Sequence, residues 1–129
     1  MSDIVVGFAT FDCPDPLALS MFYAALLGWP PDPEPAPDNF FAELQNPHGG
    51  IGLSFQRVEG YRAPDWPGQV VPQQVHLSLL ALDVDAAERE ALGLGARLLS
   101  DDGVVRVLAD PAGHPFCISN ELGRSGLGQ

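Results

Sequence analysis

The chain has 129 residues, 46% of them hydrophobic, a length that fits one domain able to bury roughly two thirds of its unfolded surface. Seventeen Asp and Glu residues oppose six basic ones, every one of them Arg, for a formal net charge of −11. Such a surface repels phosphate backbones and anionic lipid headgroups, which excludes nucleic acid and membrane as partners and leaves a neutral or cationic small molecule compatible; the blander reading of the acidity is solubility alone.

No stretch approaches the roughly eighteen continuous apolar residues of a spanning helix. The start, Met1-Ser2-Asp3, carries no basic segment or small-residue cleavage site, so the expected location is cytoplasmic. Cys13 and Cys117 show no repeated spacing and read as reduced thiols.

In chain order, residues 4–11 begin apolar and β-branched and predict a strand interrupted by Asp12-Cys13-Pro14-Asp15. Asp15 suits an N-cap, and Pro16 suits the first helical position, where a missing N–H costs nothing. The helix runs to Leu27 and stops at Gly28, with Leu19, Phe22, Tyr23, Leu26 and Leu27 at three- and four-residue spacing along one face. Prolines at 30, 31, 33, 35 and 37 make residues 29–38 either an edge strand or a polyproline-like excursion. Strands follow at 40–44 and 51–56. Residues 58–74, with three prolines, Tyr61 and Trp66, are too long for a hairpin and too aromatic for a free linker, and predict a strap. A strand at 75–80 then leads to Asp83 as cap of a helix over 84–94, anchored by Leu92 and closed by Gly95. Strands at 96–99, 104–109 and 115–119 are joined by turns at Asp101-Asp102-Gly103 and Asp110-Pro111-Ala112-Gly113. His48 and His114 sit in turns and either face solvent or brace those turns. The tail, 123–129, carries three glycines and is expected to fray.

The two halves repeat one grammar: strand, capping Asp, helix, Gly, then strands. From Asp15 to Gly28 is 13 residues and from Asp83 to Gly95 is 12, so the chain reads as a duplicated unit, with modules at about 4–57 and 75–120 in a single domain, 1–129. The segments Phe22-Tyr23-Ala24-Ala25-Leu26-Leu27-Gly28-Trp29 and Asp110-Pro111-Ala112-Gly113-His114-Pro115-Phe116 resemble the helix end and the final turn of the vicinal oxygen chelate superfamily. Gln73-Gln74-Val75-His76-Leu77 and Phe55-Gln56-Arg57-Val58 are most similar to its glyoxalase-like domain proteins, and the resemblance covers roughly residues 4–120. It implies an α+β fold of two paired βαβββ modules, forming an incompletely closed eight-stranded barrel around one groove, and a homodimer. It does not imply one activity, because that superfamily spans isomerases, dioxygenases, epimerases, thiol transferases and antibiotic-sequestering proteins.

Metal-dependent members bring four ligands together, typically His or Gln on the first strand and Glu on the last strand of each module, so that a divalent ion can polarise two adjacent substrate oxygens. Seven residues before each capping Asp stand Phe8 and His76. Four residues after the turn glycine stand Leu53 and Cys117, and a two-residue bulge in the first module would substitute Gln56 for Leu53. This set implies no metal cofactor; the alternative is a divalent metal at His76 and Gln56. The bland readings are a strand histidine satisfied by a carbonyl and, for Cys117, a small buried hydrophobe.

Period-two alternation groups Val6, Phe8 and Thr10 on one strand, and His76, Ser78 and Leu80 on another. With Ser54, Gln56, Cys117 and Ser119 these make an apolar groove bearing a few polar groups, the usual recipe for orienting a small molecule. Tyr61 and Trp66 are either a lid or ordinary core filling. Whether the protein is an enzyme stays open: in a glyoxalase-related lyase His76 would be the general acid or base. The leading expectation is a glyoxalase-like protein binding a small organic molecule without a complete metal site. The alternatives are a metal-dependent lyase or dioxygenase and an antibiotic-sequestering protein that stacks a planar cation on aromatic rings.

Overall fold

Asp15 both ends the first strand region and starts the first helix. Its side chain accepts the Ala18 N–H at 3.1 Å, capping α1 (Pro16–Leu27) with Pro16 in the first turn. Gly28 ends the helix in a left-handed conformation, φ 69°, and its N–H returns to the Ala24 carbonyl. The computed structural model describes residues 2–120, so the expected frayed tail lies outside the described residues. The chain divides into two compact units between Tyr61 and Arg62.

The first unit contains β1 (Phe8–Cys13), α1, β2 (Phe41–Leu44) and β3 (Gly52–Arg57). The sheet order is β1-β3-β2, with β3 parallel to β1 and antiparallel to β2. β1 starts and ends later than its composition predicts, since Asp12 and Cys13 still pair with Gln56 and Arg57. Ile4 and Val5 remain 84% exposed, because β3 begins only at Gly52, whose N–H reaches back to the Gly7 carbonyl at 2.9 Å. A strand extends as far as its partner does, whatever its propensity.

One face of this sheet is closed by α1. Tyr23 stacks on Phe55 (centroids 5.9 Å) and on Phe11 (6.2 Å), Phe11 stacks on Phe55 (5.8 Å), and Phe22 meets Tyr23 edge-on at 4.9 Å. Leu19, Ala42, Leu44 and Leu53 complete a buried core. Each aromatic pair adds about 0.5–1.5 kcal/mol beyond its area.

The fourth strand expected in the first module does not form. Residues 29–38 run as a proline-rich loop into a 3-10 turn at Pro37–Asn39. The Asp32 carboxylate stands in for a neighbouring strand, accepting the Glu34 N–H and the N–H of Glu43 on β2, each at 2.9 Å. Prolines have no N–H to offer a ladder. The described residues therefore form seven strands in an α+β fold with sheets of three and four and no closed barrel, rather than eight.

The second unit contains β4 (Leu77–Leu80), α2 (Val84–Gly93), β5 (Arg97–Asp101), β6 (Arg106–Ala109) and β7 (Pro115–Ser119), in sheet order β4-β7-β6-β5. Asp83 caps α2 by accepting the Ala86 N–H at 3.0 Å. The helix is anchored by the fully buried Ala91, and Leu92 is 40% exposed, which corrects the expected anchor. Its inward row is Val84, Ala87, Glu88 and Ala91, the i, i+3, i+4, i+7 set, and its small residues let the backbone lie close to the sheet. Arg106 on β6 ties the helix down through Glu88 at 2.8 Å and Asp85 at 2.9 Å, with Asp101 at 3.1 Å. The hydrogen bonds it donates to Glu88 and then to Asp85 hold its guanidinium protonated above the ordinary arginine range. Leu108, Phe116 and Ile118 form the core beneath.

Asp101 is the last residue of β5 and not part of the turn. Asp102 makes that turn, accepting the N–H groups of Val104 and Val105 at 2.8 and 2.7 Å, of which the Val105 bond does most to pull its carboxyl below the usual range. In the final turn the buried Asp110 carboxylate accepts the N–H groups of Ala112 and His114 at 2.9 and 3.0 Å. His114 is wholly buried and braces its turn, whereas His48 is exposed. Neither Cys13 nor Cys117 is in a disulfide.

The orientation of α2 is testable by urea denaturation. Ala91→Leu should destabilise by about 1–3 kcal/mol through overpacking, whereas Leu92→Ala should cost less than about 1 kcal/mol, as exposed sites do. The opposite order would turn the helix around.

Candidate functional site

The pleat sends alternate side chains of the first sheet away from α1. The pairings Phe8↔Gly52, Thr10↔Ser54 and Asp12↔Gln56 place these residues on that open face, joined by Phe41 and Glu43 of β2. The Thr10 and Ser54 hydroxyls are 2.6 Å apart in a hydrogen bond, and the Gln56 amide donates to the Asp12 carboxylate at 2.8 Å. Such cross-strand bonds fix the side chains before a ligand arrives. Phe8 lies directly over Gly52: a Cβ there would come within 2.9 Å of the Phe8 ring and 2.4 Å of the Leu44 carbonyl oxygen. Thr10 and Gln56 are exposed, Ser54 is buried, and the remaining side chains are half-buried. At the β2 edge the proline-rich loop walls a cavity of about 180 Å³ lined by Asp32, Pro33, Glu34, Phe41, Glu43 and Gln45.

In the second unit the face away from α2 carries Ser78 and Leu80 of β4, Cys117 and Ser119 of β7, and Val107 and Ala109 of β6. Cys117 is half-buried, and desolvation pushes its thiol pKa up. Ser119 is 1% exposed, and its hydroxyl has no hydrogen-bond partner among the described residues. His76 immediately precedes β4 and is exposed, as is Ser78. Tyr61 ends the first unit and Trp66 lies in the second, both half-buried. The loop around Trp66 is held by Asp65, which bonds Val71 through main chain and carboxylate at 3.0 and 3.1 Å.

Strand pairing settles which first-unit residue corresponds to Cys117. Phe8 and His76 each stand seven residues before their capping Asp. Two residues on from these, Thr10 pairs with Ser54 and Ser78 pairs with Cys117. The equivalent is therefore Ser54, neither Leu53 nor a bulged Gln56. Leu53 is buried on the α1 side, and the β1–β3 register runs unbroken from Gly52 to Arg57. The ambiguity came from two consecutive glycines, Gly49 and Gly50, both at positive φ (81° and 86°). Counting from Gly50 gives Ser54; counting from Gly49 gives Leu53, and a slip of one residue exchanges the faces. Asp12, Phe41 and Glu43 escaped notice because their place on the open face depends on this register.

The positions that the family resemblance implies for metal ligands thus hold Phe8 and Ser54 in the first unit and His76 and Cys117 in the second. Phe8 has no donor atom, the Ser54 hydroxyl is engaged by Thr10, and burial favours the thiol of Cys117 over the thiolate that binds metal. This donor set does not fit a hard divalent ion. Among the described residues no group of three or more His, Cys, Asp or Glu side chains is placed to hold one. Among the described residues no helix is long and apolar enough to cross a membrane.

The same architecture occurs in known proteins. A glyoxalase/bleomycin resistance protein/dioxygenase family enzyme from Burkholderia phytofirmans superposes with a TM-score of 0.73 at 19% identity, over 92% of this chain and 100% of that one. A glyoxalase-related enzyme from Fulvimarina pelagi gives 0.63 at 21% identity, over 88% and 86%. A possible glyoxalase from Bacillus cereus gives 0.65 at 13% identity, over 90% and 98%. At such identities the likeness is one of fold. No curated protein matches the sequence. The glyoxalase-like domain family matches residues 8–119, and the chain belongs to that family.

Proposed function

We propose that this protein binds a small organic molecule on the open sheet faces described above, without a complete set of metal ligands. The observation that carries the reading is Phe8 seated on Gly52, which puts an aromatic ring where a ligand side chain would be needed. Phe8, Thr10, Ser54 and Gln56 supply an apolar platform with fixed polar groups, and Ser78, Cys117 and Ser119 supply a second polar row. That mixture orients a small molecule by a few hydrogen bonds within apolar contact. Any proton transfer would fall to the exposed His76 as general acid or base. Pairing of two copies accords with the 53% exposure of Phe40 beside the proline-rich loop.

A second reading, sequestration of an organic cation, is favoured by the charges of the first sheet. Its open face carries Asp12 in the same cross-strand row as Phe41, and Glu43 in the next row, with Phe8 at the other end of β1, and none of these side chains is basic. Carboxylates beside aromatic rings suit a planar cation.

Metal analysis of protein purified without chelator should find no stoichiometric divalent ion, and a chelator should leave the melting temperature unmoved. An ion at one per chain, lost in His76→Ala, contradicts the proposal. For the second reading, ethidium should raise the melting temperature more than 8-anilinonaphthalene-1-sulfonate does. Asp12→Asn combined with Glu43→Gln should abolish that preference, whereas the exposed pair Glu59→Gln and Glu90→Gln, with the same change in net charge, should preserve it. Equal effects of the two double variants would reduce the preference to the general acidity of the chain.

A further inference from the structure

Resting on the small-molecule reading above, we infer that the open face of the second sheet contains a subsite for an uncharged oxygen acceptor, a carbonyl or amide oxygen, recognised by the Ser119 hydroxyl beside Cys117. Ser119 lies on β7, an interior strand between β4 and β6. Its main chain is engaged in the fold, the carbonyl accepting the Ala81 N–H at 2.9 Å. Its side chain is 1% exposed with no partner for Oγ among the described residues. The fold has no need of that oxygen, since an alanine would pack there without leaving a buried polar atom unpaired. Buried hydroxyls are nearly always bonded, so an unpaired one calls for its own explanation.

Cys117 stands two residues away on the same face, between Ser78 and Val107 on the flanking strands. Burial keeps its thiol protonated at neutral pH, which makes it a weak donor and a soft wall rather than an anion. Both groups are therefore neutral and match the partial charge of a carbonyl oxygen better than the full charge of a carboxylate. Among the described residues the basic side chains on this face are Arg97 on β5, opposite Ala109, and His76, which precedes β4 in the same alternation as Ser78 and Leu80. Arg97 lies two strands from β7, roughly 10 Å by ordinary strand spacing, and His76 lies four residues along the chain from Leu80, the partner of Ser119, roughly 13 Å, both too far to neutralise an anion at Ser119. A cavity of about 160 Å³ lined by Leu80, Ala81, Leu82 and Asn120 adjoins Leu80, the strand partner of Ser119, and gives an apolar remainder of the ligand somewhere to lie.

Cys117 makes the subsite measurable with two reagents that differ in charge. Iodoacetamide and iodoacetate both alkylate a thiolate: the sulfur displaces iodide, a C–S bond forms, and the thiol proton passes to buffer. Only iodoacetamide presents a neutral amide oxygen. The fully buried Cys13 should stay unmodified in the native protein, and peptide mass spectrometry assigns the label. Ser119→Ala is expected to slow alkylation of Cys117 by iodoacetamide about threefold to tenfold, the range of one net hydrogen bond, to leave the iodoacetate rate unchanged, and to leave the melting temperature unchanged or raised. Ser119→Thr, which keeps the hydroxyl, should retain the iodoacetamide rate. An unchanged ratio of the two rates overturns the inference, as does an equal loss with both reagents. A lower melting temperature or failure to fold in Ser119→Ala, which would show the hydroxyl to be structural, overturns it as well. None of these outcomes bears on the metal analysis or on the comparison of ethidium with its anionic counterpart, so the small-molecule reading can survive the loss of this subsite.

Discussion

The stacking of Phe11, Tyr23 and Phe55 is the constraint on which the first unit depends. Because α1 seals these rings on one side of the sheet, the strands cannot slip by one residue without turning their apolar set toward water. That lock decides everything on the other side. Thr10 faces Ser54, Asp12 faces Gln56, and Phe8 falls on the one residue in β3, Gly52, that leaves room for its ring. The chemistry available on the open face is a consequence of what is packed behind it.

The second unit reaches the same arrangement by different means. Its helix is small and polar on its inward row, and an arginine reaching two helix carboxylates does part of what aromatic stacking does in the first unit. A small-faced helix can sit close to a sheet, and buried apolar residues of β6 and β7 then supply the core. The duplicated plan thus tolerates wide divergence in packing while leaving one face of each sheet uncovered by its helix, and those faces differ as well: the first adds carboxylates and rings to its hydroxyl pair, and the second carries hydroxyls and a thiol with Arg97 at its edge strand.

What could be read from the chain was what short-range chemistry determines. Asp15 and Asp83 as caps, Gly28 as a stop, and the Asp110 turn are each set within four residues, and all appear where spacing puts them. What could not be read depends on distant partners. β1 ends where β3 ends, Ala91 rather than Leu92 is buried because of what lies across from it, and the proline-rich loop is held by one carboxylate reaching an edge strand eleven residues on. Ser54 was hidden by a doubled glycine, an ambiguity of one residue that only strand pairing removes. The family was legible from motifs at both ends of the chain, yet the chemistry of the site was not, because motifs mark the turns that position side chains and not the side chains themselves.

The central claim is that Ser54, paired with Thr10, faces the open side of the first sheet, so that a hydroxyl and an aromatic ring stand where ligands would be required. Oxidative cross-linking tests it most directly. The Thr10→Cys, Ser54→Cys protein should form a disulfide under mild oxidation in its folded state, as the 2.6 Å approach of the two hydroxyls predicts, and the Thr10→Cys, Leu53→Cys protein should not. Cross-linking through position 53 and not through 54 would contradict the register and, with it, the identity of the site.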